Sequence, residues 1–220
     1  MRDRTCWRQG MFYLLRRSGT SNFFRPRRQD MRGSRKGGGM LYKLEDDVDT
    51  YYGFFWEDKS HYMAYISSDP LGASWKPPTI HSPGLPRKIL KLGPPDFANV
   101  SPGMYLMKPH VYEALRPLIE DAGELFQAET SRGPYLLFHV TSEIDCLDRG
   151  QSKVSYSDDE QTQVRSVSRY KFREDAIQGS HLFRIPETYK LESFVSQQVK
   201  DVAQAEGFTG FFFEKLRFAD

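Results

Sequence analysis

Residues 194–216, FVSQQVKDVAQAEGFTGFFFEKL, restrict the fold more than any other stretch of the chain. Val199, Val202 and Ala203 recur at helical spacing and form one apolar stripe. Ser196 stands where a helix N-cap hydroxyl would accept an unpaired backbone N–H. Gly207 stands at the C′ position, where a left-handed residue closes a helix. Phe208 to Phe213 then reads as a buried strand with Gly210 inside it. A helix that enters a strand through so short a connection must lay its stripe on the sheet that the strand joins. This predicts an α+β fold: an antiparallel or mixed sheet with two or three packed helices in a single domain.

The upstream pattern supplies the other strands. Leu41 to Leu44, Tyr51 to Trp56 (with Gly53 as a bulge or bend), Tyr62 to Ile66 and Ile89 to Leu92 read as strands. Between them, 67–86 is dense in Pro, Gly and Ser and reads as a long loop, either functional or mobile. Tyr105 to Met107 leads into a helix with Pro109 in its first turn and Val111, Leu115 and Leu118 at helical spacing; Pro117 is expected to kink or end it. Leu125 to Ala128 and Tyr135 to Val140 read as strands joined by a turn at Ser131 to Pro134. Residues 161–172 alternate weakly, and His181 to Ile185 reads as a further strand.

Charge divides the chain at Met40. The whole sequence carries 31 Lys and Arg against 29 Asp and Glu, yet residues 1–39 hold 11 basic residues and only two acids, Asp3 and Asp30. Residues 40–220 therefore hold 20 basic and 27 acidic residues, a formal charge of −7. The only apolar run before Met40, Met11 to Leu15, is too short for a signal-peptide core or a membrane span. Three readings stay open for 1–39: a basic arm for nucleic acid or anionic lipid, a transit peptide, or translated leader ahead of a start at Met40. The leader reading is the expected one, because Lys36-Gly37-Gly38-Gly39 is what a purine-rich ribosome-binding site encodes when read through. The expected organisation is thus a basic unfolded leader at 1–39 and one domain at 40–220. A start at Met40 would leave Cys146 without Cys6, so no internal disulfide could form and a reducing, cytoplasmic setting follows.

The inventory for chemistry is thin. No two of His61, His81, His110, His139 and His181 are spaced to share a helix face, and there is no CxxC. Phosphate-loop, dinucleotide and nucleophile-elbow motifs are all missing. No cofactor, metal ligand or catalytic residue is expected, and the chain reads as a non-enzyme. Two alternatives remain. In SEIDCLDRGQS, Glu143 and Asp145 would share one face of a strand, and with His139 could serve a metal-dependent hydrolase; the competing reading is a solvated strand end with Asp148 fixing a turn. The run Thr209-Gly210-Phe211-Phe212-Phe213 loosely matches the aromatic strand of an RNA-recognition motif, but that motif wants a basic residue where Thr209 stands, and this domain is acidic.

Three pieces, in this order, resemble the bacterial immunity-protein family eleven, small proteins encoded beside secreted polymorphic toxins. They are MYLMKPHVYEALRPL, then IDCLDRGQSKV with Asp145, Leu147, Asp148, Arg149 and Ser152 at the positions of a D-x-L-D-R-x-x-S run, then HLFRI followed by the closing helix, turn and strand. The resemblance covers about residues 100–220. It implies a non-enzymatic inhibitor that binds a cognate toxin, with no catalytic residues to carry over. An acidic domain suits a basic partner. The expected partner-binding residues are the acidic ones at Asp145, Asp148, Asp158, Asp159 and Glu160, with Glu45, Asp46 and Asp47 as further candidates. The resemblance names neither the toxin's activity nor the oligomeric state; no membrane partner is expected, and nucleic acid is disfavoured by the charge.

Overall fold

The computed structural model describes residues 40–58, 67–82 and 92–216. The leader reading for 1–39, the strand expected at Tyr62 to Ile66 and all but Leu92 of the strand expected at Ile89 to Leu92 lie outside them. In chain order the elements are β1 (Leu41–Asp46), β2 (Phe55–Trp56), β3 (Ile80–His81), β4 (Phe97–Ser101), β5 (Met104–Met107), α1 (Pro109–Ile119) and a 3-10 turn (Glu120–Ala122). There follow β6 (Gly123–Thr130), β7 (Gly133–Val140), β8 (Lys153–Tyr156), β9 (Val164–Arg169), α2 (Glu174–Ile177) and β10 (Leu182–Arg184). A second 3-10 turn (Pro186–Thr188), β11 (Ser193–Ser196), α3 (Gln197–Ala205) and β12 (Phe211–Lys215) complete the order.

The architecture is α+β and rich in sheet. Strands β10-β11-β1-β12 form an antiparallel sheet of four. Strands β2-β3-β6-β7-β5-β4 form a mixed sheet of six, in which only β3 and β6 run parallel. β8 and β9 pair by themselves as a hairpin.

Alternation along the strands sorts side chains into separate cores. From β5, Tyr105 and Met107 join Val111 and Leu115 of α1, Tyr42 and Leu44 of β1 and Val199 of α3 in a first core. Met104 and Leu106 enter a second core with Phe54, Trp56, Ile80 and Phe126. Both faces of β5 are covered, so all four of its residues are buried. A third core joins Leu41, Phe183 and Phe194 to Leu147, Tyr170 and Phe172, beside the hairpin.

The closing unit forms as its sequence dictates. Gly207 adopts φ +68°, Phe208 N–H bonds the Ala203 carbonyl at 3.0 Å, and Gly207 N–H bonds that of Gln204 at 3.2 Å; this is a Schellman closure. Phe211 stacks on Phe97 with ring centres 4.0 Å apart, and Phe213 stacks on Phe211, while Phe212 alternates outward and is 53% exposed. The strand expected to be buried is therefore only half-buried: Phe211 and Phe213 pack against the first core and Phe212 faces out.

Some local expectations change. Ser196 holds the N-cap position of α3, but its hydroxyl contacts His181 Nδ1 at 2.9 Å, and helix entry is secured by Gln197 N–H on the Met40 carbonyl. α1 runs through Pro117 to Ile119: Pro117 is exposed, Leu115 and Ile119 anchor the last turn in the core, and Glu120 N–H still bonds Arg116 O. The strand expected over Tyr51 to Trp56 shortens to Phe55–Trp56. The 67–86 stretch is docked where it is described. Leu71 and Trp75 pack on the second core, with Trp75 edge-on to Phe126 at 4.8 Å.

Candidate functional site

β10 carries the residue around which the polar side chains gather. Leu182 enters the first core and Phe183 the third, while Arg184 is fully buried. Its Nε–H donates to the Lys190 carbonyl at 2.8 Å, Nη2 donates to the same oxygen, and Nη1 donates to the carbonyls of Val140 (3.2 Å) and Ser67 (3.3 Å). Burial holds the guanidinium below its ordinary value, against the opposing pull of Tyr105 and Glu143. Room for it exists because residue 103 is glycine: a Cβ there would lie 2.6 Å from Arg184 Nη1, and its φ is +75°.

Residues 142–144 run alongside β10, with Arg184 N–H on Ser142 O and Ile144 N–H on Arg184 O, both at 2.9 Å. This brings Glu143 to Lys190 Nζ at 2.9 Å, where its Oε2 also accepts from Ser68 Oγ at 2.6 Å. Burial raises the Glu143 carboxyl, but Lys190 and the Ser68 hydroxyl outweigh it and hold the group below its ordinary value. His139, 1% exposed, donates Nε2–H to the Ser67 carbonyl at 2.9 Å, and its Nδ1 lies 3.6 Å from Glu124 Oε2. Glu124 in turn accepts from Leu71 N–H and Gly72 N–H at 2.7 and 3.0 Å. Arg184, Glu143, His139 and Glu124 thus all grip the segment that begins at Ser67.

This geometry bears on the hydrolase alternative. Glu143 and Asp145 do not form a pair on one strand face, because the segment is held only by an isolated bridge at Glu143. Asp145 goes to a different cation, Arg173 Nη2, at 3.1 Å. A carboxylate held low by Lys190 is a weak base toward the Ser68 hydroxyl, and His139 spends its Nε2 proton on a carbonyl. Among the described residues, no three of His, Cys, Asp and Glu are grouped to hold a metal ion.

The expected partner-binding acids separate into two kinds. Asp148 is absorbed in its own turn, accepting from Gly150 N–H and Gln151 N–H at 3.0 Å each. Asp158 does the same for Thr162 N–H and Gln163 N–H, and bonding to Thr162 and Gln163 holds its carboxyl below the ordinary range. Asp159 and Glu160 are exposed in the loop between β8 and β9. Of the earlier cluster, Glu45 pairs with Lys43 at 2.9 Å, Asp46 accepts from Asn99 N–H and Asp47 from Thr50 N–H. Cys146 is free and buried, and burial, with Glu187 nearby, pushes its thiol up to about 12.

Sequence reasoning passed over Arg184, Lys190, Glu124, Ser68 and Glu187. A signal existed for Arg184, a lone cation inside the apolar run HLFRI. None existed for the others, whose roles depend on which segments the fold brings together.

Fold and site together define a sheet-rich α+β protein whose main polar cluster ties segments in place. Residues 126–217, from within β6 to just past β12, match the model of the immunity protein family Imm11. The match falls within the region of the resemblance drawn from the sequence and includes Arg184, Glu143, the hairpin and the closing unit. No curated protein matches the chain. No helix among the described residues is long and apolar enough to cross a membrane.

Proposed function

We propose that this chain is an immunity protein that binds a cognate secreted toxin in the cytoplasm and neutralises it without catalysis. The observation that carries this reading is the family match over residues 126–217. The geometry supports it: Glu143, Asp145 and His139 are each engaged with a different structural partner. The formal charge of −7 over 40–220 supports a basic partner, because complementary charge speeds encounter and narrows partner choice. Asp159 and Glu160 are the acids best placed to meet it, being exposed at a hairpin tip. Residues 1–39 are leader in this reading and play no part in binding.

The test is rescue. The 220-residue chain, and residues 40–220 separately, are co-expressed with the product of the neighbouring gene in cells that the product otherwise kills. Growth restored by both, with the two proteins recovered as a complex, is the expected result. Killing that persists in the presence of folded full-length chain would sink the reading; rescue by the full chain alone would overturn only the dispensability of 1–39.

A further inference from the structure

The four-stranded sheet has two unlike edges. At one, β10 is backed by residues 142–144, with Glu143 bridged to Arg184. At the other, β12 pairs with β1 and, among the described residues, with no further strand. The N–H and C=O groups that such a strand turns away from its partner are a template for another strand. Natural edges are blunted by charge, proline or a bulge. β12 instead carries Phe211, Phe212 and Phe213 in a row, and its charges, Glu214 and Lys215, come only at its end.

Both faces of this edge are unfinished. Phe211 and Phe213 pack on the first core yet stay half-buried, because the sheet ends beside them. Phe212 points to the opposite face and is 53% exposed. On that face the register sets Glu45 beside Phe212 and Lys43 beside Glu214, while Lys215 alternates to the other side. Lys43 Nζ lies 2.9 Å from Glu45, 3.0 Å from Glu192 and 3.8 Å from Glu214. Three carboxylates thus surround one cation, and the face around the exposed ring keeps an acidic excess. That charge selects the occupant. Antiparallel pairing of two copies through β12 would bring two such acid-rich faces onto one side of one sheet, where like charges oppose it. A basic strand would meet the same face with complementary charge.

We propose that β12 is where the partner is held: the protein that the chain neutralises adds an extended strand to this edge, with an apolar side chain against Phe212 and arginine or lysine against Glu214. The partner assignment rests on the immunity reading above. Main-chain hydrogen bonds supply affinity and the alternating side chains supply selectivity. The added strand also completes the cover of Phe211 and Phe213. Asp159 and Glu160 then contribute to encounter through long-range attraction.

The test uses the full chain, ¹⁵N-labelled, and the capped peptide Arg-Val-Tyr-Val-Arg, whose order of side chains is the same in either strand direction. Its acidic counterpart, Glu-Val-Tyr-Val-Glu, is the control, and each is titrated to millimolar concentration. The basic peptide is expected to shift the amides of Phe211 to Lys215 and to slow their exchange with deuterium. The acidic peptide is expected to bind at least tenfold more weakly. Phe212→Lys, at an exposed position, is expected to weaken the basic peptide at least tenfold. Should that variant fail to fold, Glu214→Lys decides by a several-fold loss. Absence of shifts at β12, equal binding of the two peptides, or unchanged binding by a folded variant overturns the edge as a docking site. A dimer of the chain alone that Phe212→Lys dissolves would overturn the assignment to a different protein and give the edge to a second copy. The same variants go into the rescue assay. Full rescue and undiminished complex formation by both would overturn the partner assignment while leaving the immunity reading intact. Failure of the wild-type chain to rescue, with basic-peptide binding preserved, would remove the immunity reading and the partner together, and leave an edge that takes basic strands.

Discussion

Arg184 is the single side chain on which the most backbone converges. It joins carbonyls from Ser67, Val140 and Lys190, three segments far apart in sequence. Removing it takes the guanidinium donors from the Lys190 and Val140 carbonyls, while Ser67 keeps His139, so Arg184→Met is expected to destabilise the fold by about 3–5 kcal/mol in chemical denaturation. Gly103→Ala should be similarly harmful alone, since its Cβ would meet the guanidinium. In the double variant that clash is gone, so the two effects should sum to less than their separate costs; strict additivity would mean that the two sites are not coupled. Asp96 gives a pH test at the same scale. Burial raises its carboxyl, but Thr209, through its hydroxyl and N–H, and Lys108 at 2.9 Å hold it below the ordinary value. A carboxylate lowered in the folded state contributes stability above its unfolded value near about 4 and loses it as pH falls through the folded value. Asp96→Asn should therefore be less stable at pH 7 by roughly 1–2 kcal/mol and show a shallower loss of stability below about pH 4. An acid limb unchanged by the substitution would contradict this.

At the scale of elements, the closing helix, turn and strand depend on Gly210. A Cβ at Gly210 would lie 2.1 Å from the Phe97 carbonyl, and φ is +90°. Gly210→Ala is expected to cost about 2–4 kcal/mol, read as a lowered denaturation midpoint with unchanged slope. This unit was legible in sequence because its signals are local: the Val199, Val202 and Ala203 stripe, Gly207 after it, and the Phe run. The hairpin of β6 and β7 was legible for the same reason, with Ser131 and Arg132 forming the turn between two apolar-rich strands. What could not be read was anything set by distant pairing. Ser196 looked like a cap, but the fold places His181 within reach of its hydroxyl. Glu143 and Asp145 looked like a facing pair, but Lys190 and Arg173 draw them to different partners. The loop from Ser67 onward looked unsupported, because neither Glu124 nor His139 shows from sequence that its partner is that loop's backbone.

Across the whole molecule, the acidic side chains divide between internal bonds and the surface. Much of the acidic excess that suggested a basic partner is used internally: Asp46, Asp47, Asp148 and Asp158 all accept backbone N–H groups, and Asp145 and Glu143 are paired. The acids left exposed at the hairpin tip are Asp159 and Glu160.

Neutralisation by direct binding, as proposed, is tested by a stoichiometric titration. Purified full-length chain is added to the purified neighbouring-gene toxin, and residual toxin activity is followed against molar ratio. The account predicts that activity falls linearly to zero at a fixed ratio, independent of incubation time, and that chemically unaltered, active toxin is recovered after the complex is dissociated and refolded. Loss of activity at far below that ratio, growing with time and accompanied by a change in the toxin's mass, would contradict it and make the chain an enzyme.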